Sequence, residues 1–235
     1  MNGKLPPSDQ PIKGIALAIL ATLLFAFLNS MTKHVSQVYP MVMILWFRYL
    51  FFGGYGLAIG LKTHRKRAFS SLVPILQITR ALLLLAEIGV YVFAFRHLPL
   101  AEISAISGPI VTMAMSTLIL REVISPRQWL IVAFGFIGIF IIVKPGFSSF
   151  NPWMLIPLFG TLLWGLYQVL TRLVSQYDGA DRTTLFTGTI GFVILCSVLP
   201  LYWLPIDINW LGKFSVFAIL GVAGHSTLIK ALTIA

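Results

Sequence analysis

Residues 22–37 read TLLFAFLNSMTKHVSQ and residues 161–176 read TLLWGLYQVLTRLVSQ, so the two stretches coincide when the sequence is shifted by 139 positions (161 − 22 = 139). They share an opening Thr-Leu-Leu, a Thr followed by a basic residue, and a closing Val-Ser-Gln. Each is mainly apolar until its basic residue, which is typical of a membrane helix that reaches the interface. The chain is therefore predicted to contain one kind of membrane helix twice.

A second, weaker match keeps the same order along the chain. A shift of 134 positions sets Arg96 on Lys230 (230 − 96 = 134), Leu98 on Leu232 and Ala101 on Ala235. If helix one recurs as helix six, the repeat contains five helices, and an odd number inverts the second copy relative to the membrane. Inverted repeats are characteristic of secondary transporters.

The composition agrees with a membrane protein. The 235 residues are 58% hydrophobic and 10% charged, whereas soluble domains carry about 25% charged residues. A membrane helix needs about 20 apolar residues, and eight apolar runs are long enough or nearly so. They lie at 14–33, 40–61, 72–95, 100–120, 127–143, 153–172, 183–203 and 211–231.

These runs define the predicted organisation of an all-α integral membrane protein. Residues 1–13 form an N-terminal tail, residues 14–145 a first repeat of helices one to five, and residues 146–235 an incomplete second repeat of helices six to eight. By this register the chain holds about eight helices of a ten-helix, five-plus-five inverted-repeat fold.

Charge position predicts the topology. The formal net charge is +10, and most Lys and Arg residues fall in the tail and in the alternate loops that would share one side of the membrane. The positive-inside rule then places the N-terminus in the cytoplasm and the chain in the inner (cytoplasmic) membrane as a multi-pass protein. No basic amphipathic helix accompanies the charge, so we expect no nucleic-acid partner.

Several motifs resemble one transporter family. A basic residue ends the first helix (Lys33), an arginine lies inside the second (Arg48), and an acidic residue closes the fourth (Glu122). Further similarity runs through residues 78–83 and through Val143-Lys144-Pro145. The chain resembles the EamA-type branch of the drug/metabolite transporter superfamily, and within it the S-adenosylmethionine uptake carriers. The resemblance implies a ten-helix carrier that moves small metabolites by alternating access.

The third helix presents the clearest candidate substrate face. Arg80, Leu84, Glu87 and Tyr91 are spaced by four, three and four residues, which places them on one side of a helix. Arg80 would bind a substrate carboxylate, Glu87 an ammonium or sulfonium group, and Tyr91 would add a cation–π contact. Glu87 is alternatively the carrier of a coupling proton, and the whole face is alternatively an interhelical salt-bridge network.

Other polar residues within the apolar runs are also candidates. Arg48 lies about 12 Å into the second helix, where a charge normally faces a cavity or a partner. It is therefore either a ligand or switch residue or a structural anchor. In the fourth helix Ser104 and Thr112 would line a cavity beside the kink at Pro109, or merely allow close packing. Helix six adds Trp164, Tyr167 and Gln168 as candidates, and helix one adds Asn29.

Three charged residues near helix ends are interpreted as structural or gating residues. They are Lys33, Glu122 and Arg172, whose long side chains can reach the interface at little cost. The four histidines show no metal-ligand spacing, so we expect neither a metal nor a cofactor.

The pattern leaves three functions open. A secondary transporter of a small polar metabolite, such as an S-adenosylmethionine uptake carrier, is the leading interpretation. The alternatives are an amino-acid or drug exporter of the same family, and a truncated membrane fragment without transport activity. An intramembrane enzyme is not expected, because the sequence lacks Gly-x-Ser-x-Gly and His-Glu-x-x-His motifs. A channel is disfavoured because no filter motif is present.

Overall fold

The computed structural model describes residues 10–106, 125–143 and 152–234, together with Met115, Thr117 and Ile119. Regular structure in these residues is entirely helical, without strands. The eight helices are α1 (Pro11–Ser36), α2 (Met41–His64), α3 (Pro74–His97), α4 (Leu100–Ile106), α5 (Pro126–Val143), α6 (Leu155–Ser175), α7 (Ala180–Val198) and α8 (Ile208–Ile234). Each overlaps one predicted apolar run, and the prediction of an all-α protein is confirmed for the described residues.

Six of these helices are long and apolar enough to cross a membrane: α1, α2, α3, α6, α7 and α8. Many of their large apolar side chains are exposed on the outside of the bundle, as lipid contact requires. On α1 alone these include Ile12, Ile15, Ile19, Leu23 and Phe27. The chain is therefore a multi-pass membrane protein.

The seventh helix differs from its predicted range of 183–203. It begins at Ala180, because Gly179 is extended (φ −68°, ψ 163°) and leads directly into the helix. It ends at Val198, and Leu199–Leu201 form a 3₁₀ turn. Pro200 has no backbone N–H and so cannot donate the next hydrogen bond of the α-helix. Hydropathy does not detect this boundary because the turn is itself apolar.

The bundle is built from three closely packed helix pairs, α1 with α8, α2 with α7, and α3 with α6. A single large apolar core links α1, α2, α3, α6 and α8, with Leu28, Met43, Leu84, Tyr167 and Phe217 among its fully buried members. The pairing leaves a space between α1, α2, α3, α6 and α8 that the cavity described below occupies.

Glycines allow α2 and α7 to approach closely. A Cβ atom at Gly188 would lie 2.5 Å from the carbonyl oxygen of Phe52 and 2.8 Å from the Cα of Gly53. Both neighbours are backbone atoms and cannot move aside cheaply. Small residues are common where membrane helices pack closely. We therefore interpret this glycine contact as one that holds α2 and α7 at a fixed short distance.

Replacing Gly188 by Ala should lower the stability of the bundle by about 1–3 kcal/mol, the usual cost of overpacking. The matched control is Gly54→Ala on α2, where an added Cβ meets nothing within 4 Å. The measurement is the fraction of monodisperse protein that survives heating in detergent. Equal melting of the two variants would show that the α2/α7 contact tolerates a methyl group.

Candidate functional site

A cavity of about 520 Å³ lies between α1, α2, α3, α6 and α8. Its polar lining comes from five helices and comprises Thr22, Asn29, Thr32, Arg48, Glu87, Tyr91, Gln168 and His225. Its aromatic lining comprises Phe25, Phe95 and Trp164, in addition to Tyr91. A space of this size within membrane-spanning helices, with few and convergent polar groups, has the character of a small-molecule site.

Glu87 is the acidic group of this cavity. The side chain is buried, with 8% of the residue exposed, and the carboxylate makes no hydrogen bond with any residue that the structure describes. It feels the positive charge of Arg48 across the same cavity. A charged side chain in the hydrocarbon region is expensive and normally faces a partner or a water-filled cavity. The carboxylate is therefore placed to meet a ligand that enters the cavity.

Arg48 is the basic group, and it is already engaged. Its Nη2 lies 2.5 Å from Nε2 of His225 on α8. Arginine has no acceptor atom, so Nε2 must accept the hydrogen bond and the proton of the neutral imidazole must reside on Nδ1. That Nδ1 is buried and has no partner among the described residues. The Arg48–His225 contact thus ties α2 to α8 at the cavity wall.

Sequence reasoning did not select His225, because it has no second histidine or acid at ligand spacing. A signal was nevertheless present. The shift of 134 positions that sets Arg96 on Lys230 also sets Tyr91 on His225 (225 − 91 = 134), and both residues line the cavity.

The structure brings four of the predicted substrate residues together. Arg48, Glu87, Tyr91 and Trp164 all line the cavity. Tyr91 is oriented from behind, because its hydroxyl lies 3.1 Å from Oγ1 of Thr161 on α6.

Two other candidates, Arg80 and Tyr167, do not line the cavity but pack beside each other. The Arg80 guanidinium lies 5.3 Å from the centre of the Tyr167 ring. It donates to the Thr183 carbonyl oxygen (2.7 Å) and to the Thr187 hydroxyl on α7, and to the Thr171 hydroxyl on α6 (3.4 Å). Arg80 thereby joins three helices in the fully buried interior.

The remaining candidates lie elsewhere. Ser104 is exposed on α4, and its hydroxyl donates to the Leu100 carbonyl oxygen (2.8 Å). Lys33 donates to the carbonyl oxygens of Phe95 (3.0 Å) and Leu98 (2.7 Å), which end α3. Arg172 is exposed in the last turn of α6. Three candidates fall outside the described residues, namely Pro109, Thr112 and Glu122.

A buried carboxylate closes one end of the bundle. Asp178, in the turn between α6 and α7, accepts hydrogen bonds from Ser71 (2.5 Å), from Gln77 on α3 (3.0 Å) and from Arg182 on α7 (2.9 Å). Burial alone would raise the pKa of this carboxyl group, but the three hydrogen bonds and the Arg182 charge outweigh burial and lower it below the usual value of 3.8. The ionised form therefore holds these three segments together.

Asp178→Asn should lower stability at neutral pH by about 1.5–3 kcal/mol, the usual worth of a hydrogen bond to a charged group. Because the folded-state pKa is depressed, this contribution is fully present above about pH 4 and is lost as the pH falls further. Melting curves of the chain and the variant should therefore differ at pH 7 and converge below pH 4.

Asp181→Asn serves as the control, since Asp181 makes only an exposed hydrogen bond with Thr63 (3.1 Å). A pH-independent difference between the chain and Asp178→Asn would contradict the role of the ionised carboxylate.

The cavity also contains equivalent positions of the two aligned segments. Phe25 corresponds to Trp164 and Asn29 to Gln168 under the shift of 139 positions, and all four line the cavity. The duplicated sequence thus contributes to the same space from α1 and from α6.

No group of three or more His, Cys, Asp or Glu side chains that could hold a metal ion occurs within the described ranges. The arrangement in these residues is a carboxylate and a guanidinium within an aromatic cavity, which is a set of groups for binding a polar organic molecule.

Comparison with known proteins relates the chain to membrane transporters. It is 30% identical over 131 residues to a riboflavin transporter of Brucella anthropi, covering 55% of this chain and 45% of that protein. It is 22% identical over 221 residues to an S-adenosylmethionine uptake transporter of Rickettsia bellii, covering 93% and 75%. It is 23% identical over 235 residues to a pseudopaline exporter of Pseudomonas aeruginosa, covering 94% and 78%. The chain thus spans less than half of the first protein and about three-quarters of the other two.

A solved crystal structure superposes on the chain with a TM-score of 0.67 at 20% sequence identity, covering 94% of this chain and 78% of that one. At that identity the likeness concerns the fold. The model of the EamA-like transporter family matches residues 12–144, which is 133 of 235 residues and therefore more than half of the chain. The family resemblance that the sequence motifs indicated is confirmed, and the chain belongs to the EamA-like transporter family.

Proposed function

We propose that the chain is a secondary transporter that moves a small polar metabolite across the membrane by alternating access, with the cavity around Glu87 as its solute site. The observation that carries this proposal is the buried Glu87 carboxylate, which lines the cavity opposite the charge of Arg48 and makes no hydrogen bond with a described residue. An enzyme that acts within the membrane would need a nucleophile and a base. A carrier needs only a side chain that binds the charged group of its solute.

The charge of the cavity favours a solute with a cationic centre. Glu87 would contact an ammonium or sulfonium group, and nearby Tyr91 and Trp164 would add cation–π contacts. A solute carboxylate would meet Arg48 rather than Arg80, because Arg48 lines the cavity and Arg80 does not. This is a change from the pairing that helical spacing suggested.

S-adenosylmethionine or a related amino-acid-like solute is therefore the first choice. Its charges fit the cavity, and the uptake transporter of Rickettsia bellii carries that name. The second choice is an amino-acid or drug exporter of the same family, which the pseudopaline exporter supports. Glu87 is also the proposed carrier of a coupling proton.

The packing supports the proposed ten-helix inverted repeat, with repeats at 14–145 and 146–235. If α1 corresponds to α6, α2 to α7 and α3 to α8, exchanging the partners converts the α1/α8 pair into the α6/α3 pair and leaves α2/α7 unchanged. All three pairs are the closely packed ones. We further propose an inner-membrane location with a cytoplasmic N-terminus, on the basis of loop charge.

The experiment follows radiolabelled S-adenosylmethionine, and in parallel a panel of radiolabelled amino-acid-like metabolites, in bacterial cells that express the chain. Saturable accumulation would support uptake, and faster loss from preloaded cells would support export. If neither occurs for any member of the panel, the chain is a transport-inactive fragment, the alternative of another class.

A further inference from the structure

We propose that the cavity recognises a solute with a planar nitrogen heterocycle, such as a purine, through a subsite formed by Phe25, Asn29, Trp164 and Gln168. The inference rests on the proposed function and deepens it, because it adds a substrate class and the residues that select it. All four residues line the cavity.

The aromatic part of the subsite is a continuous wall. Phe25 on α1 meets Trp164 on α6 edge to face, with ring centres 5.8 Å apart at 85°. Tyr167 stacks on Trp164 at 5.5 Å and 25° and is itself fully buried, so the tryptophan ring is supported from behind. A supported aromatic wall facing a cavity is a surface on which a planar heterocycle can stack.

Aromatic residues also approach the cavity from another helix. Tyr91 and Phe95 on α3 both line it, and their ring centres are 6.2 Å apart. The cavity thus presents aromatic side chains from three helices, α1, α3 and α6. That extent suits a solute with its own aromatic surface.

The amide part of the subsite selects the heterocycle edge. Asn29 follows Phe25 by four residues, and Gln168 follows Trp164 by four residues, so each amide shares a helix face with its aromatic residue. A primary amide offers two donors and an acceptor, which is the pattern that matches the donor and acceptor edge of adenine. The side-chain amide of Asn29 makes no hydrogen bond with any described residue, so it is available to a ligand.

The charged groups then have a separate task. Glu87 lies on α3, whereas the four subsite residues lie on α1 and α6. A neutral heterocycle has no positive charge to place against Glu87, and an aliphatic cation has no ring edge to place against Asn29. This separation makes the two sets of residues independently testable.

The experiment measures equilibrium binding of radiolabelled adenosine, guanosine and uridine, and of radiolabelled L-ornithine, to the purified chain in detergent. At least one nucleoside should bind saturably. Asn29→Leu and Trp164→Leu should each weaken that binding about tenfold or more, and Glu87→Gln should weaken it much less than either. Ornithine binding should show the opposite order, being weakened far more by Glu87→Gln than by Asn29→Leu, and its persistence shows that Asn29→Leu is folded.

Phe27→Leu is the matched control on α1, because Phe27 is 66% exposed on the outside of the bundle. The heterocycle subsite would be overturned if none of the three nucleosides binds. It would also be overturned if nucleoside affinity is the same in the chain, Asn29→Leu and Trp164→Leu. If ornithine still binds through Glu87 in that case, the proposed function survives without it. If neither class of probe binds, both proposals fail.

Discussion

Replacing Glu87 by Gln is expected to lower solute transport by about 10- to 100-fold, because a hydrogen bond or ion contact to a charged group contributes about 1.5–3 kcal/mol. The substitution keeps the size of the side chain and removes its charge. Since no described residue hydrogen-bonds to the carboxylate and Arg48 keeps its contact with His225, the amount of folded protein in the membrane should change little. The measurement is the initial rate of uptake or release per unit of membrane-inserted protein.

Glu102→Gln on α4 is the matched control, because Glu102 is partly exposed and does not line the cavity. It should transport at the normal rate. Normal transport by Glu87→Gln would show that the Glu87 carboxylate neither binds the solute nor carries a coupling proton. A fall in protein abundance without a change in rate per molecule would make Glu87 a structural residue.

Replacing Arg80 by Met is expected to destabilise the bundle by about 3 kcal/mol or more, since several hydrogen bonds to a buried charge are lost together. The change leaves the hydroxyl groups of Thr171 and Thr187 without the guanidinium and opens the junction between α3, α6 and α7. Thermal unfolding in detergent measures this effect, and membrane abundance should fall in parallel.

Arg127→Met on α5 is the control for Arg80, because Arg127 is exposed. The two possible roles of Arg80 give different results. A structural role lowers stability and leaves transport per folded molecule largely intact. A stable Arg80→Met protein that no longer transports would restore the interpretation of Arg80 as a carboxylate ligand.

Helix positions were predictable from the sequence because the membrane requires long apolar runs, and the described helices follow those runs. Boundaries were less predictable. Leu199–Leu201 are as apolar as the helix that precedes them, so hydropathy extended the seventh helix past its end. The glycine contact between α2 and α7 was only partly predictable. The sequence contains many glycines, and only the fold shows that Gly188 lies against the backbone of Phe52.

The candidate site was predictable where a polar residue interrupts an apolar run. Arg48 and Glu87 were selected for that reason, and both line the cavity. Helical spacing alone grouped Arg80 with Glu87, yet residues seven apart drift by about 20° around a helix. Because α3 packs against α1, α6 and α7, its successive turns meet different surroundings, and Arg80 contacts α6 and α7 while Glu87 meets the cavity. His225 could be recognised as a site residue only with knowledge of which helix packs beside α2, because its role comes from its contact with Arg48.

The central claim is that the cavity around Glu87 binds the transported solute. Its most direct test is equilibrium binding of radiolabelled S-adenosylmethionine, with amino-acid-like cations as further ligands, to the purified chain and to its Glu87→Gln and Glu102→Gln variants. We expect saturable binding of at least one ligand, weakened about tenfold or more by Glu87→Gln and unchanged by Glu102→Gln. Binding of every ligand with equal strength to the chain and to Glu87→Gln, or binding of none, would contradict it.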